Sequence, residues 1–325
     1  MSLMEGSLTV NAVLGECQTV RLDARGLSHY RGEMRFAYLS STVTLPGSPM
    51  RRCDAFEHDR MMDALRTGLA PVFGTRAEWI DIAWDDADTD WSSFDAAIIG
   101  TAWDYWDRQD AFLEALERIS GETHLYNSPE LVRWNSHKNY LKDMALRGAR
   151  TIPTVWLDPA DTDNIRMAFD TLCTHDLVLK RQVGAGADGQ VRLKAGEPIP
   201  AFSHPMMAQP FQEAILSEGE ISFIFIDGGF SHALIKRAAA GDYRIQSTYG
   251  GTEQAFNPNT ADLDEAYRIS QLIDGDPLYA RIDMLRCGDG ALLLMEAELI
   301  EPYLYPLEGP ELGQRIAKAL FNRLA

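Results

Sequence analysis

Hydrophobic positions change their period along the chain, and the changes divide it into units. Met1–Glu33 shows no convincing helical or strand periodicity and is set aside as an N-terminal extension. From Met34 the pattern becomes regular. Phe36–Ser40 reads as an opening strand, and Met61, Met62 and Leu65 fall on one face of a helix expected around His58–Thr67. A strand is expected near Glu78–Ala83, a buried one over Ala96–Thr101, and a helix over Gln109–Ser120. Strands alternating with helices make a small α/β domain with a parallel sheet, assigned to residues 34–127.

A second unit opens at Ser128-Pro129-Glu130, with Ser as the helix N-cap and Pro in the first turn. Asn135-Ser136 is read as the start of a further helix that carries Tyr140, Leu141 and Met144 and closes at Gly148. Beyond Pro153 the pattern turns to strands: Leu177–Lys180, Gly189–Lys194, Met206–Pro210, Glu220–Ile226 and Phe230–Arg237. A last helix from about Pro310 would bury Leu312, Ile316 and Leu320. Antiparallel hairpins with a few helices make this unit α+β, so the chain is α/β plus α+β.

The stretch Ala280–Tyr305 is chemically the most informative. Two β-rich runs flank Gly288-Asp289-Gly290, and Asp-Gly between such runs signals a hairpin. A two-residue Asp289-Gly290 loop sets Asp283 opposite Glu296 and Arg281 opposite Glu298. Side chains alternate with period two, so Asp283, Glu296 and Glu298 share one face. Carboxylates gathered there repel one another unless a cation neutralises them, and oxygen-only donors favour Mg²⁺ or Mn²⁺. A solvated acidic face is the plainer reading; the apolar run leading into the glutamates speaks against it.

Gly184-Ala185-Gly186-Ala187-Asp188-Gly189 matches G-x-G-x-x-G, but a strand-like Gln190-Val191-Arg192-Leu193 follows where a dinucleotide fingerprint needs a helix. The glycines therefore tip a hairpin whose free backbone N–H groups can cover phosphates. Lys180 ends an apolar strand at the base of that loop, where an anionic partner best explains it. No HRD or DFG motif follows, so this is not a protein kinase.

Composition limits the partners. The net charge is −18, from 30 basic and 48 acidic residues, which disfavours nucleic acid or an anionic membrane surface. Cys17, Cys53, Cys173 and Cys287 form no CxxC, so free thiols in a reducing cytoplasm are expected. No apolar stretch reaches membrane-span length. The histidines show no metal-binding spacing and receive no role.

The order of these features resembles the ATP-grasp superfamily, in the branch of glutathione synthetase and the cyclo-ligase of cycloserine biosynthesis. The resemblance covers Asn127 to the C-terminus, with residues 34–127 as the preceding α/β domain. It implies two α+β subdomains, 128–205 with the glycine loop and 206–325 with the metal hairpin. Asn127-Ser128-Pro129 and Trp134-Asn135-Ser136-His137-Lys138 resemble the entry to the nucleotide domain, with Lys138 as the first phosphate-contacting lysine. Lys180 matches the second, and Gly184, Gly186 and Gly189 the covering loop. Gln209, Pro210, Phe211 and Gln212 are similar to the linker that contacts adenine, and Glu220 lies near the ribose. Asp283, Glu296 and Glu298 match the magnesium ligands, although glutathione synthetases end this motif with Asn. Lys236 and Arg244 resemble the basic residues facing the γ-phosphate and the carboxylate to be activated.

ATP and Mg²⁺ (or Mn²⁺) are thus the implied cofactors, with a small, amino-acid-like carboxylate and an amine as substrates. Activation as an acyl-phosphate would precede attack by an amine or an internal nucleophile. The alternatives are a nucleotide-binding sensor without ligase activity, or a carboxylate kinase. Two further segments read as substrate contacts. Trp103, Asp104 and Tyr105 follow a sheet strand where open α/β sheets present ligand loops, and could clamp an amino group. Gly250 and Gly251 suggest close backbone approach to a ligand. A homodimer is left open.

Overall fold

The computed structural model describes Glu33–Ala325, so Cys17 and all but the last residue of the extension lie outside the described residues. Strands β1 (Met34–Ser40), β2 (Ala77–Ala83), β3 (Ala96–Ile99) and β4 (His124–Tyr126) form a parallel sheet in the order β2-β1-β3-β4. Helix α1 (Phe56–Phe73) links β1 to β2, and α2 (Gln109–Ser120) links β3 to β4. Met61, Met62 and Leu65 are buried, as their spacing predicts. Strand β4 was not foreseen: it is three residues long with only Leu125 buried, too little to show a period.

Helix α3 (Pro129–Asn135) starts as read, with the Ser128 hydroxyl accepting the Leu131 amide. Helix α4 (Tyr140–Leu146) starts later than expected, because Asn135 and Ser136 end α3 and do not open a new helix. The Ser136 amide still donates to Val132 O. Next come β5 (Val155–Leu157), α5 (Thr162–Thr171), β6 (Asp176–Arg181), β7 (Val191–Lys194) and β8 (Met206–Pro210). Their sheet runs β5-β8-β6-β7, antiparallel throughout.

After the short α6 (Ala214–Ser217) come β9 (Glu220–Ile226), β10 (Gly229–Arg237), β11 (Thr252–Phe256), α7 (Thr260–Ser270), β12 (Tyr279–Arg286), β13 (Leu292–Glu298) and α8 (Leu312–Leu324). These strands make an antiparallel sheet in the order β11-β10-β9-β12-β13. Its core takes Phe223, Ile282 and Leu294 from the sheet together with Leu131, Tyr140 and Met144 from α3 and α4.

These memberships move the expected subdomain boundary. A division after residue 205 would cut β8 from the sheet in which it lies between β5 and β6. The C-terminal helix α8 packs against α1 of the first domain, with the Phe73 and Phe321 rings 5.9 Å apart. Asn127 fixes the junction between the units. Its amide donates to Tyr279 O (3.0 Å) and Leu299 O (2.8 Å) and accepts from Leu278 N (2.7 Å).

The β12–β13 hairpin has the expected pairs, Asp283 with Glu296 and Arg281 with Glu298, but reaches them differently. Cys287 and Ala291 close a loop of three residues, Gly288, Asp289 and Gly290. That alone would slip the register by one. A bulge at Met295 restores it, since Met284 pairs with Leu294 and Asp283 with Glu296.

Candidate active site

The hairpin of β6 and β7 carries the glycine loop, and no helix follows it. Gly186 (φ 62°), Ala187 (φ 60°) and Gly189 (φ 65°) adopt left-handed backbone, a shape glycine takes without strain. Arg181 braces the loop from its base by an ion pair with Asp188 (2.7 Å). Lys180 precedes Arg181 and faces the cleft. Among the described residues its ammonium has no hydrogen bond or ion pair, and burial lowers its pKa. Lys138, in the turn between α3 and α4, is anchored by its amide on Gln182 O (2.8 Å) and ion-paired to Glu296. Burial works against that ammonium, but Glu296 outweighs it and raises the pKa.

Asp283, Glu296 and Glu298 do share a face, and they share it with cations. Arg281 sits between two of them. It donates through Nε and Nη2 to Asp283 (3.0–3.1 Å), pairs with Glu298, and donates through Nη1 to Tyr303 O (3.0 Å). Lys236 pairs with Glu220, its neighbour across β9 and β10, and lies 3.5 Å from Asp283. Among the described residues, no group of His, Cys, Asp and Glu side chains stands ready to hold a metal ion. The expected trio lies together as a carboxylate cluster whose charge Lys138, Arg281 and Lys236 balance in this structure.

The electrostatics follow from burial. Desolvation pushes Glu298 up to about 7 despite Arg281, and Glu220 likewise to about 7. Burial also works to raise Asp283, but Arg281 and Lys236 hold its pKa down at about 2. The second oxygen of Glu220 is buried without a partner.

Three cavities adjoin one another around this face, and Gln246 lines all three. The central one is lined by Lys138, Lys180, the glycine loop and all three expected metal ligands. The second is lined by Gln209, Pro210, Phe211 and Gln212, with Lys180 and Glu220 at its inner end. Arg192 stacks 3.3 Å over the Phe211 ring, and the Gln209 amide donates to Thr154 (3.0 Å). Arg244 also lies in this second cavity, clamped by Asp242 (2.7 Å) and stacked 3.7 Å over Tyr249. It is not brought to the carboxylate face, whereas Lys236 is. Gly250 and Gly251 close their own loop. A Cβ on Gly251 would stand 1.9 Å from Ile245 O, so the close backbone approach is to the chain itself.

The third cavity lies between the α/β domain and the carboxylate face. Trp103 lines it, but its two neighbours do not. Asp104 accepts from Trp84 Nε1 (2.8 Å) and faces Arg108 (3.3 Å), while Tyr105 is buried against Phe112. Trp106 lines the cavity instead.

Residues 47–127 match the family described as D-cycloserine synthetase DcsG, N-terminal domain. The cycloserine biosynthesis protein DcsG of Streptomyces lavendulae is 30% identical over 287 residues, which cover 81% of this chain and 92% of that protein. The chain belongs to the ATP-grasp superfamily. Solved members agree. The crystal structure of D-cycloserine synthetase DcsG superposes with a TM-score of 0.74 at 26% identity, over 90% of this chain and 100% of that one. D-alanine–D-alanine ligase from Bacillus anthracis gives 0.64 at 16% identity, covering 90% and 97%, and shares the fold. So does the ATP-grasp ligase PsnB, solved with Mg and ADP, at 0.59 and 15% identity, covering 90% and 99%.

Within this ATP-grasp chain, several cleft residues escaped the sequence reading, Arg281, Gln246 and Glu301 among them. Arg281 was paired correctly with Glu298 in register but left out of the site, although an arginine two residues before a buried aspartate was a visible signal. Gln246 carries no such signal. Glu301 lies three residues past Glu298 and is buried at 8% exposure, with its carboxyl pushed up to about 8 by burial and by Glu298.

Proposed function

We propose that this protein is an ATP- and Mg²⁺-dependent ligase. It activates a small, amino-acid-like carboxylate as an acyl-phosphate, which an amine or an internal nucleophile then attacks, releasing ADP and phosphate. The observation that carries this reading is the central cavity, which gathers both lysines, the glycine loop and the carboxylate face.

The cleft fits a nucleotide. Lys180 offers an unpaired ammonium to phosphate, Lys138 an ammonium paired with Glu296, and the loop its backbone N–H groups. Gln209–Gln212 line the neighbouring cavity, where a base would sit beside Phe211. The metal fit is of a different kind. Asp283, Glu296 and Glu298 are the hard oxygen donors that magnesium prefers, and Lys138 and Arg281 now balance their charge. Magnesium, when bound there, supplies charge neutralisation to the phosphates.

The chain's own residues do the rest by position and charge. Lys236, buried beside Glu220 and Asp283, keeps a positive charge at the border of the central and third cavities. Its pKa is raised: burial works against the charged form, but Asp283 and Glu220 outweigh it. Arg281 fixes Asp283 and Glu298, with all three guanidinium nitrogens donating to protein oxygens. Arg244 serves the nucleotide side. No protein nucleophile is required; catalysis rests on orientation and fixed charge in the cleft.

The test is a screen of amino acids for Mg-dependent ADP release, with hydroxylamine present to trap the activated acid. Hydroxamate formed in step with ADP supports the ligase. ADP release that no acid stimulates contradicts it.

A further inference from the structure

The third cavity, between the α/β domain and the carboxylate face, is unbalanced in charge. Its cations are all engaged: Arg52 with Asp54 (2.6 Å), Lys236 with Glu220, and Arg281 with Asp283 and Glu298. Glu57, Glu253 and Glu301 line the same cavity, and among the described residues none of them makes an ion pair. Glu301 is the extreme case. It is 8% exposed, faces the cavity and has no hydrogen bond at all among the described residues.

The unused hydrogen-bonding capacity there includes the buried Tyr303 hydroxyl, which can donate or accept, and further acceptors. The side-chain oxygen of Gln246 is also buried there without a partner. Glu57 accepts one bond, from Ser247 (2.9 Å). A buried carboxylate without compensation is costly, so such acceptors call for a ligand that brings N–H donors and positive charge. Two observations favour an organic cation over a metal ion. These acids do not stand together as a metal-holding group. Trp103 and Trp106 add aromatic walls, which attract a nitrogen cation.

We propose that Glu301, together with Glu57, receives the cationic nitrogen of the substrate, so that the cavity selects acids bearing an ammonium over the same acids without one. This assignment rests on the ligase reading above for the rest of the substrate. It makes Glu301 a specificity-determining residue, beyond the nucleotide and metal positions.

The experiment pairs each of the common amino acids, in both enantiomers, with its des-amino analogue, for example serine with 3-hydroxypropanoate. Binding is measured by calorimetry in the presence of Mg²⁺ and a non-hydrolysable ATP analogue, and ADP release is measured separately with ATP. The parent is expected to prefer the ammonium-bearing member of a binding pair by on the order of 10–100-fold. Glu301→Gln should erase most of that preference, and Glu57→Gln should reduce it; the second variant covers a folding failure of the first. Preference retained in both variants overturns the assignment, as does a panel in which no ammonium-bearing acid binds better than its analogue. Preference without any ADP release would remove the ligase reading and leave the Glu301 assignment standing.

Discussion

Lys180 holds a desolvated ammonium at the junction of two cavities, with no side chain paired to it among the described residues. A ligand phosphate would relieve that cost, so Lys180→Ala should weaken ATP binding by about 1.5–3 kcal/mol in calorimetry, the range for one charge-assisted contact. Unchanged affinity would remove Lys180 from the site. Glu296 differs, being paired with Lys138 at the heart of the central cavity. Glu296→Gln should abolish turnover while leaving the circular dichroism spectrum of the parent. Normal turnover with the cognate acid would refute the assignment of this carboxylate. The two arginines mark the limit of legibility at this scale. A strand end pointed to Lys180 and the hairpin register to the carboxylates, while Lys138 came from the family resemblance. No local pattern says that Asp242 and Tyr249 hold Arg244 in the second cavity, or that Arg281 reaches two acids at once.

Among the elements, β13 carries the most chemistry and lies at the edge of its sheet. An unpaired edge invites slippage, and here side chains cover it. Asn135 donates to Ala297 O (2.8 Å) and accepts from Leu299 N (3.1 Å), and the Tyr140 hydroxyl accepts from Ala297 N (2.8 Å). Ala297 sits between Glu296 and Glu298, so the cover also fixes the acids. Asn135→Ala should lower unfolding free energy in urea by about 1–3 kcal/mol, the cost of leaving such buried groups unpaired. A loss below about 0.5 kcal/mol would show that water replaces the amide without cost. The hairpin shows what period-two reasoning can and cannot give. A two-residue loop in a regular ladder and a three-residue loop with a bulge produce the same Asp283–Glu296 pair, and the sequence does not distinguish them. Long strands such as β9, buried at every position and largely apolar, were legible, whereas three-residue β4 and β5 take their shape from neighbouring strands.

For the whole molecule, the cleft concentrates buried acids, and stability should record it. Burial raises Glu57, Glu220 and Glu298 to about 7 and Glu301 to about 8, from 4.5. Between these values the folded state binds more protons than the unfolded chain, so stability falls as pH rises. His232 acts oppositely, lowered by burial to about 4, but its contribution is complete by about pH 6.5. The melting temperature of the ligand-free protein should therefore decline from about pH 6.5 to 8.5, and Glu301→Gln should flatten the decline. A rise across that window would contradict the burial of these carboxylates. The same buried face is where the acid is held to be phosphorylated, and isotope transfer tests this most directly. A cognate acid labelled with ¹⁸O in its carboxylate is turned over with Mg-ATP, and the released phosphate is analysed by mass spectrometry. Attack of the carboxylate on the γ-phosphorus, followed by cleavage of the acyl C–O bond, leaves one labelled oxygen in each phosphate. Unlabelled phosphate, released while the acid is consumed, would contradict acyl-phosphate formation.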